Sequence, residues 1–193
     1  MEVEEIREEV REELANQGKR EQWINYLALT AVILAVCATL SSFKEGNNSV
    51  DSVLSQTQAA NQWSYYQAKS IKSYLYEMQI QELGFELEAL SESAPLSVRE
   101  KIEKTRRFYD DTLKRYDQEK KEIMAKARDF ERQRDQATRR AASYGMAVIF
   151  LQMGILLCSL SALMKKKILW LLGRLVGVVG IVYFVDGFVL FLA

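Results

Sequence analysis

The sequence predicts an all-α integral membrane protein with three transmembrane helices, a long antiparallel helical hairpin between the first and second, and a short amphipathic helix at the amino terminus. Three apolar stretches, 24–43, 141–164 and 168–193, support this prediction, because a helix needs about 20 residues to cross a hydrocarbon core roughly 30 Å thick. A charged segment, 44–140, lies between the first two stretches and contains the single proline, Pro95. We therefore expect three spans and one extramembrane domain.

The amino-terminal segment, 1–23, is acidic and amphipathic. Its apolar residues recur at spacings of three and four between charged neighbours, which predicts a short helix with one narrow apolar stripe. These residues are Val3, Ile6, Val10 and Leu14. We do not expect a cleavable signal peptide, because the leader is acidic and has no small-residue cleavage site. The narrow stripe is expected to need a partner: a neighbouring subunit, the hairpin or another protein.

Helical patterns run through both halves of 44–140 and meet at a turn near 91–97. The polar segment 44–48 favours a turn and is expected to separate the first span from the first arm. Ser97 and Glu100 have the spacing of a capping box, which starts the second arm there. Two apolar stripes joined by a short turn predict an antiparallel, coiled-coil-like hairpin. The stripe expected on the first arm comprises Leu54, Ala68, Ile71, Leu75, Met78 and Phe85. The stripe expected on the second arm comprises Val98, Ile102, Thr105, Tyr109, Leu113, Tyr116, Ile123, Ala127 and Phe130.

The residue inventory excludes several kinds of chemistry. The chain has no histidine, and its two cysteines, Cys37 and Cys158, both fall in predicted spans. Histidine-based acid–base catalysis, Cys–His nucleophilic pairs and the usual zinc sites therefore lack their residues. We expect no enzymatic activity, no catalytic or metal-binding residues and no cofactor. Because acidic residues are interleaved with the basic residues of the second arm, we also expect no nucleic-acid binding.

An aromatic segment at 61–76, with the sequence NQWSYYQAKSIKSYLY, is the most distinctive motif in the chain. Aromatic side chains bury large areas and keep a polar tip, so we expect a packed cluster at the hairpin base or at a subunit interface. The lysines beside the rings leave open a site for a ligand carboxylate or phosphate. The candidate interaction residues are Trp63, Tyr66, Lys69, Lys72 and Tyr74.

This segment closely resembles the signature Asn-x-Trp-x-Tyr-Tyr-Gln-Ala-Lys-Ser-Ile-Lys of a bacterial membrane-protein family known as domain of unknown function 4337. The similarity extends over the whole layout, from the acidic leader and first span through the charged helices to two closing spans. The resemblance implies a bacterial inner-membrane protein with this architecture. It implies no activity and supplies no catalytic residues.

The final span carries two charged residues and a smooth glycine face. A charge at the centre of a transmembrane helix costs ~2.5–3.5 kcal/mol on insertion scales, so Asp186 and Arg174 are candidate intramembrane polar residues. The side chain of Arg174 can extend toward the interface near 165–167. Glycines at spacings of four and three permit close helix contact, either within the chain or between subunits. These glycines are Gly173, Gly177 and Gly180.

The short loop 165–167 determines the expected orientation. Its lysines lie between two spans, and such positive loops stay in the cytoplasm, so the loop and the amino terminus are expected inside. The hairpin is then periplasmic or extracellular. The arginines between 132 and 140 argue for the opposite orientation, but charges in long loops contribute little.

The leading functional hypothesis is a non-enzymatic, homo-oligomeric scaffold or assembly protein of a bacterial inner membrane that acts through its hairpin. Its expected partners are the lipid bilayer, further copies of the chain and a protein bound by the hairpin. The alternative is a small channel or transport accessory subunit in which Asp186 lies near a pore. These two hypotheses place assembly in different parts of the chain.

Overall fold

The computed structural model describes the backbone of residues 2–90 and 95–190, and the side chains of Arg7, 22–90 and 95–190. Within these residues the chain forms three helices: α1 (Glu2–Ala89), α2 (Leu96–Met164) and α3 (Lys167–Val189). The all-α prediction is confirmed for this part of the chain. The turn predicted near 91–97 falls between α1 and α2, and residues 91–94 lie outside the described residues, as do 191–193.

Helix α1 runs without a break through the segment where we expected a turn. The prediction of a break at 44–48 is wrong, because Gly46 and Asn47 are helical and the Asn48 side-chain amide donates a hydrogen bond to the Lys44 carbonyl at 2.7 Å. Glycine and asparagine weaken a helix by about 1 kcal/mol or less per residue, and the long helical segments on either side already provide the costly nucleus.

The amino-terminal segment is not a separate helix in the structure. Residues 2–22 belong to the continuous α1, which has no boundary before the first apolar stretch. The predicted stripe of Val3, Ile6, Val10 and Leu14 consists of side chains outside the described residues. Its amphipathic packing therefore stays a prediction.

The chain divides into two compact units. The first, called the span unit, comprises Met1–Asp51 and Gln136–Ala193. The second, called the hairpin unit, comprises Ser52–Asp135. The division assigns the three apolar stretches to one unit and most of the charged segment to the other.

The described part of the span unit packs mainly through small or aliphatic residues and presents apolar side chains outward. The buried residues include Leu27, Leu34, Ala38, Ser41, Tyr144, Ala147, Leu151, Cys158, Gly173, Gly177 and Gly180. Outward residues such as Val32, Leu156 and Leu175 are 59%, 68% and 65% exposed. All three helices are long and apolar enough to cross a membrane. Small residues inside and apolar residues outside are typical of helices that pack together in lipid.

The link between α2 and α3 is a tight turn at the predicted loop 165–167. Lys165 adopts a left-handed backbone conformation with φ of 55°. The Ser161 hydroxyl donates to the carbonyl of Lys166 at 2.8 Å, which satisfies a backbone oxygen where α2 ends. Helix α3 then begins at Lys167, one residue before the predicted start of the third span.

In the hairpin unit, α1 and α2 pack against each other as antiparallel helices. The Arg134 guanidinium donates to the side-chain oxygen of Gln56 at 2.7 Å, and the rings of Tyr76 and Tyr109 lie 5.2 Å apart. Partner numbers on α2 fall as residue numbers on α1 rise, which supports the antiparallel arrangement. On α1 the buried and half-buried positions alternate at spacings of four and three; they include Ser55, Ala59, Gln62, Tyr66, Lys69, Ser73, Tyr76, Ile80, Leu83 and Leu87.

The prediction of which α1 stripe packs against α2 is wrong. Ile71, Leu75 and Met78 are 62%, 57% and 63% exposed, and Leu54 and Phe85 are 54% and 70% exposed. Helix α2 covers a more polar set of α1 positions, because those side chains find hydrogen-bond and ring partners on α2. The stripe expected on α2 agrees with the structure, apart from Val98, which is 41% exposed.

Candidate functional site

The aromatic segment contributes three of its five candidate residues to the packed interior of the hairpin unit. The indole nitrogen of Trp63 donates to the carboxylate of Glu131 at 2.8 Å. The Trp63 and Tyr66 rings meet edge to face at 5.7 Å, a favourable geometry for aromatic pairs. Lys69 follows one helical turn later on the same side. Trp63, Tyr66 and Lys69 therefore lie together on the covered side of α1.

Lys69 is held by groups on α2. Its ammonium forms a hydrogen-bonded ion pair with Glu119, and the two side chains are 13% and 35% exposed. The ammonium also lies 4.3 Å from the centre of the Tyr116 ring, a cation–π contact. The hydrogen bond with Glu119 raises the pKa of Lys69 above its ordinary value of 10.5, while burial acts more weakly in the opposite direction. Since Glu119 already neutralises this ammonium, the geometry does not favour a ligand site for an external carboxylate or phosphate.

The other two candidates of the segment lie outside this cluster. Lys72 and Tyr74 are exposed, and Tyr74 is 65% accessible to solvent. The sequence pattern grouped these two residues with Trp63, Tyr66 and Lys69 as candidate interaction residues. The structure instead places Tyr74 away from the covered side, so the five candidates do not form one site.

Sequence reasoning missed Tyr76, which joins two tyrosines of α2. Its ring lies 5.2 Å from Tyr109 and 5.7 Å from Tyr116. Tyr76 follows Lys69 by seven residues and Ser73 by three, so the spacing of covered positions contained the signal. The apolar residues Ile71, Leu75 and Met78 form a second pattern with the same period, and apolar spacing alone favours that pattern.

Asp186 is a buried acid of the span unit. It is 1% exposed, and its carboxylate accepts a hydrogen bond from the Ser143 hydroxyl on α2 at 2.6 Å. This polar contact lies between α3 and α2 of the same chain. Arg174 is exposed, with its guanidinium 5.0 Å from the Trp170 ring one turn earlier. Arg174 and Asp186 do not contact each other.

The glycine face of α3 packs inside the chain. A Cβ atom placed on Gly177 would lie 2.7 Å from a methyl carbon of Leu34, and one on Gly180 would lie 2.9 Å from the backbone nitrogen of Leu151. A Cβ on Gly173 would lie 3.1 Å from the carbonyl oxygen of Gly154. The sequence left open contact within the chain or between subunits, and the structure uses the face for α3 contacts with α1 and α2. Gly154, on α2, was missed.

A polar cavity of about 330 Å³ lies in the span unit beside Gly187. Its lining combines cationic, anionic, amide and aromatic side chains. The lining includes Lys44, Asn47, Asn48, Asp51, Arg140, Tyr144 and Phe188. The Lys44 ammonium lies 5.7 Å from the Phe188 ring. Such a lining suits small polar or ionic groups and contains no histidine or cysteine.

Metal chemistry has little support in the described residues. Within 22–90 and 95–190, together with Arg7, no group of three or more His, Cys, Asp or Glu side chains could hold a metal ion. Contacts such as Lys69 with Glu119 and Ser143 with Asp186 join helices to each other. Absence of enzymatic activity stays a prediction.

One comparison with known proteins gave a match. A family model described as "Domain of unknown function (DUF4337)" matches residues 23–190. The matched region begins just before the first apolar stretch and ends with α3, so it includes both units and leaves out the acidic segment before Trp23. No curated protein and no solved structure matches the chain significantly.

Proposed function

The chain belongs to the DUF4337 family, and from this premise we propose that it is a non-enzymatic scaffold of the bacterial inner membrane that assembles with further copies of itself through its hairpin. The family description carries no activity, so the proposal rests on the surfaces of the molecule. Recognition through packed helices would be its mechanism.

Exposed apolar surface on the hairpin unit is the observation that carries the proposal. Ile71, Leu75, Met78 and Phe85 on α1 are each more than half exposed, at 62%, 57%, 63% and 70%. Soluble surfaces rarely gather so many large apolar side chains on one helix face unless the face binds something. The hairpin therefore offers a surface for assembly.

The contacts within the span unit also favour assembly through the hairpin. Gly173, Gly177 and Gly180 contact other helices of the same chain, and Asp186 is bonded to Ser143. These were the residues that could have driven assembly between spans or lined a pore. Because their contacts are made inside one chain, the channel alternative lacks a carboxylate that faces outward. This favours the scaffold over the channel.

Three helices that can cross a membrane, together with the lysines of 165–167, support an orientation with that loop and the amino terminus in the cytoplasm. The hairpin would then lie outside. An Asp111→Cys variant tests this orientation, because a membrane-impermeant maleimide should label it in spheroplasts. Labelling only after the membrane is opened would contradict it.

Self-assembly is tested with two full-length copies that carry different affinity tags. After coexpression and solubilisation, capture of one tag should recover the other copy, whereas recovery of one tag alone would contradict the scaffold. Proteoliposomes should show no conductance that depends on Asp186. A conductance lost in Asp186→Asn would favour the channel alternative.

A further inference from the structure

Helix α1 of the hairpin unit has two opposite faces with the same spacing. Its covered face includes Tyr66, Lys69, Ser73, Tyr76, Ile80 and Leu83, at alternating spacings of three and four. Two residues beyond each of these lies a second series: Ala68, Ile71, Leu75, Met78, Glu82 and Phe85. Two residues turn a helix by about 200°, so the second series points away from α2. This second series is called the outer face.

We propose that the outer face binds the outer face of a second copy of this chain, with the two α1 helices parallel and in register. The inference rests on the proposed scaffold function and gives that scaffold its partner and its contact surface. Spacings of three and four are those of a coiled-coil seam, in which side chains of two helices interlock. Two copies inserted the same way in one membrane would run parallel, and a two-fold axis would pair each residue with itself.

The exposed apolar area is large enough for a stable contact. Six large side chains lie on or beside the outer face: Tyr65, Ile71, Tyr74, Leu75, Met78 and Phe85, at 52%, 62%, 65%, 57%, 63% and 70% exposure. With about 150–250 Å² for each aromatic side chain and somewhat less for the others, the exposed parts amount to roughly 600 Å² per copy. Two copies would together bury about 1,200 Å², the lower bound for specific interfaces.

The residues that flank the outer face favour a second copy. In parallel register the flanking pairs are Gln67 with Lys72, Tyr74 with Gln79, and Gln81 with Glu86, and none of them brings like charges together. The exposed side of α2 is different, since several of its charges are paired along the helix, as in Lys114 with Asp110 at 2.6 Å. A face whose flanking pairs bring no like charges together is self-complementary, whereas a strongly charged partner would find few groups to pair with.

Glu82 is the charged residue of the outer face, and its replacement should change the dissociation constant in a defined direction. In parallel register it meets Glu82 of the second copy, and like charges at such positions weaken association. Replacement by leucine removes this repulsion and extends the apolar seam. In mass photometry of the full-length protein, Glu82→Leu should therefore lower the dissociation constant about tenfold. An unchanged or higher dissociation constant would count against the outer face.

Site-specific cross-linking of the full-length chain in native membranes tests the contact directly. With copper–phenanthroline as the oxidant, Leu75→Cys should form a covalent dimer about tenfold more than Asp111→Cys, because a disulfide needs Cα atoms about 4.4–6.8 Å apart. Asp111 is a matched control, since its side chain is 79% exposed and it lies on α2 near Tyr109, which contacts Tyr76. The unmodified chain controls for Cys37 and Cys158.

The outcomes separate this inference from the function on which it rests. If differently tagged copies copurify but Leu75→Cys cross-links no more than Asp111→Cys, the scaffold stands and the outer face is not its interface. If the copies do not copurify, both proposals fail. A cross-link that forms only between Leu75→Cys and Met78→Cys would show antiparallel helices and overturn the register. A cross-link from Leu75→Cys to a different protein would show that the outer face binds that protein and not a second copy of this chain.

Discussion

Replacement of Gly180 by alanine should destabilise the span unit. Gly180 lies where α3 approaches Leu151 on α2, and a Cβ atom there would lie 2.7 Å from the Leu151 Cγ and 2.9 Å from its backbone nitrogen. A flexible side chain could turn away from such a contact. A backbone nitrogen inside a continuous helix cannot, so α2 and α3 would have to move apart.

The size of the effect follows from two opposing contributions. Insertion of one extra carbon into a tightly packed contact costs typically about 1–3 kcal/mol. Alanine also favours helix over glycine by roughly 0.5–1 kcal/mol. The net loss should be about 1–2 kcal/mol, which corresponds to a melting temperature lower by about 3–6 °C for a chain of this size.

Gly84→Ala is the matched control, because the same substitution there meets no atom within 4 Å. This variant should gain the helix preference without the clash and be more stable by about 0.5–1 kcal/mol. Thermal unfolding in detergent can be followed with a fluorogenic maleimide that reacts when Cys158, which is 0% exposed, becomes accessible. A Gly180→Ala protein as stable as Gly84→Ala would refute the close contact of α2 and α3.

Three further substitutions test other contacts. Lys165→Gly should raise the melting temperature by an amount equivalent to about 1 kcal/mol, because glycine adopts the left-handed φ of 55° at little cost. The same thermal assay measures this change, and a lower melting temperature would contradict the prediction. Asp186→Ala should lower the free energy of unfolding by about 2 kcal/mol, since it leaves Ser143 without this acceptor, whereas Asp186→Asn should retain most of the stability. Equal losses in the two variants would show that the hydrogen bond contributes little. The pKa of Lys69 is raised above 10.5, so its bond with Glu119 stabilises the fold below that pH and is lost as pH rises beyond it. The difference in melting temperature between the native chain and Lys69→Met should therefore stay constant from neutral pH to about pH 9 and shrink above about 10.5.

Much of the architecture could be predicted because length and polarity are local properties of the sequence. Long apolar stretches located the three segments that can cross a membrane, and Pro95 located the turn region between α1 and α2. The predicted break at 44–48 failed because single weak helix formers are outweighed when long helical segments flank them. For this reason the low helix propensity of Gly46 and Asn47 did not predict where the helix ends.

The choice of packing face could not be made from apolar spacing alone. Helix α1 carries two series with the same period, and the more apolar one includes Ile71 and Leu75. The covered series contains polar and aromatic residues such as Lys69, whose burial depends on Glu119 across the hairpin. A single-helix pattern does not contain that partner, so the sequence pointed to the wrong face.

The glycine face was found from its spacing, but its partners were not. Gly173, Gly177 and Gly180 signal close approach of another helix without saying which helix approaches. The opposing residues, Leu34 and Leu151, are ordinary leucines in apolar stretches and carry no distinguishing signal. Which helices meet is decided by the packing of the whole unit.

Mass photometry of the full-length protein in lipid nanodiscs tests self-assembly through the outer face most directly. The native chain should contain more than one copy per particle, and Leu75→Glu should shift the particles to single copies by placing a charge in the seam. Gln118→Glu, the same change in charge on the exposed side of α2, should leave the number of copies unchanged. Multiple copies that persist in Leu75→Glu, or single copies in the native chain, would contradict assembly through this face.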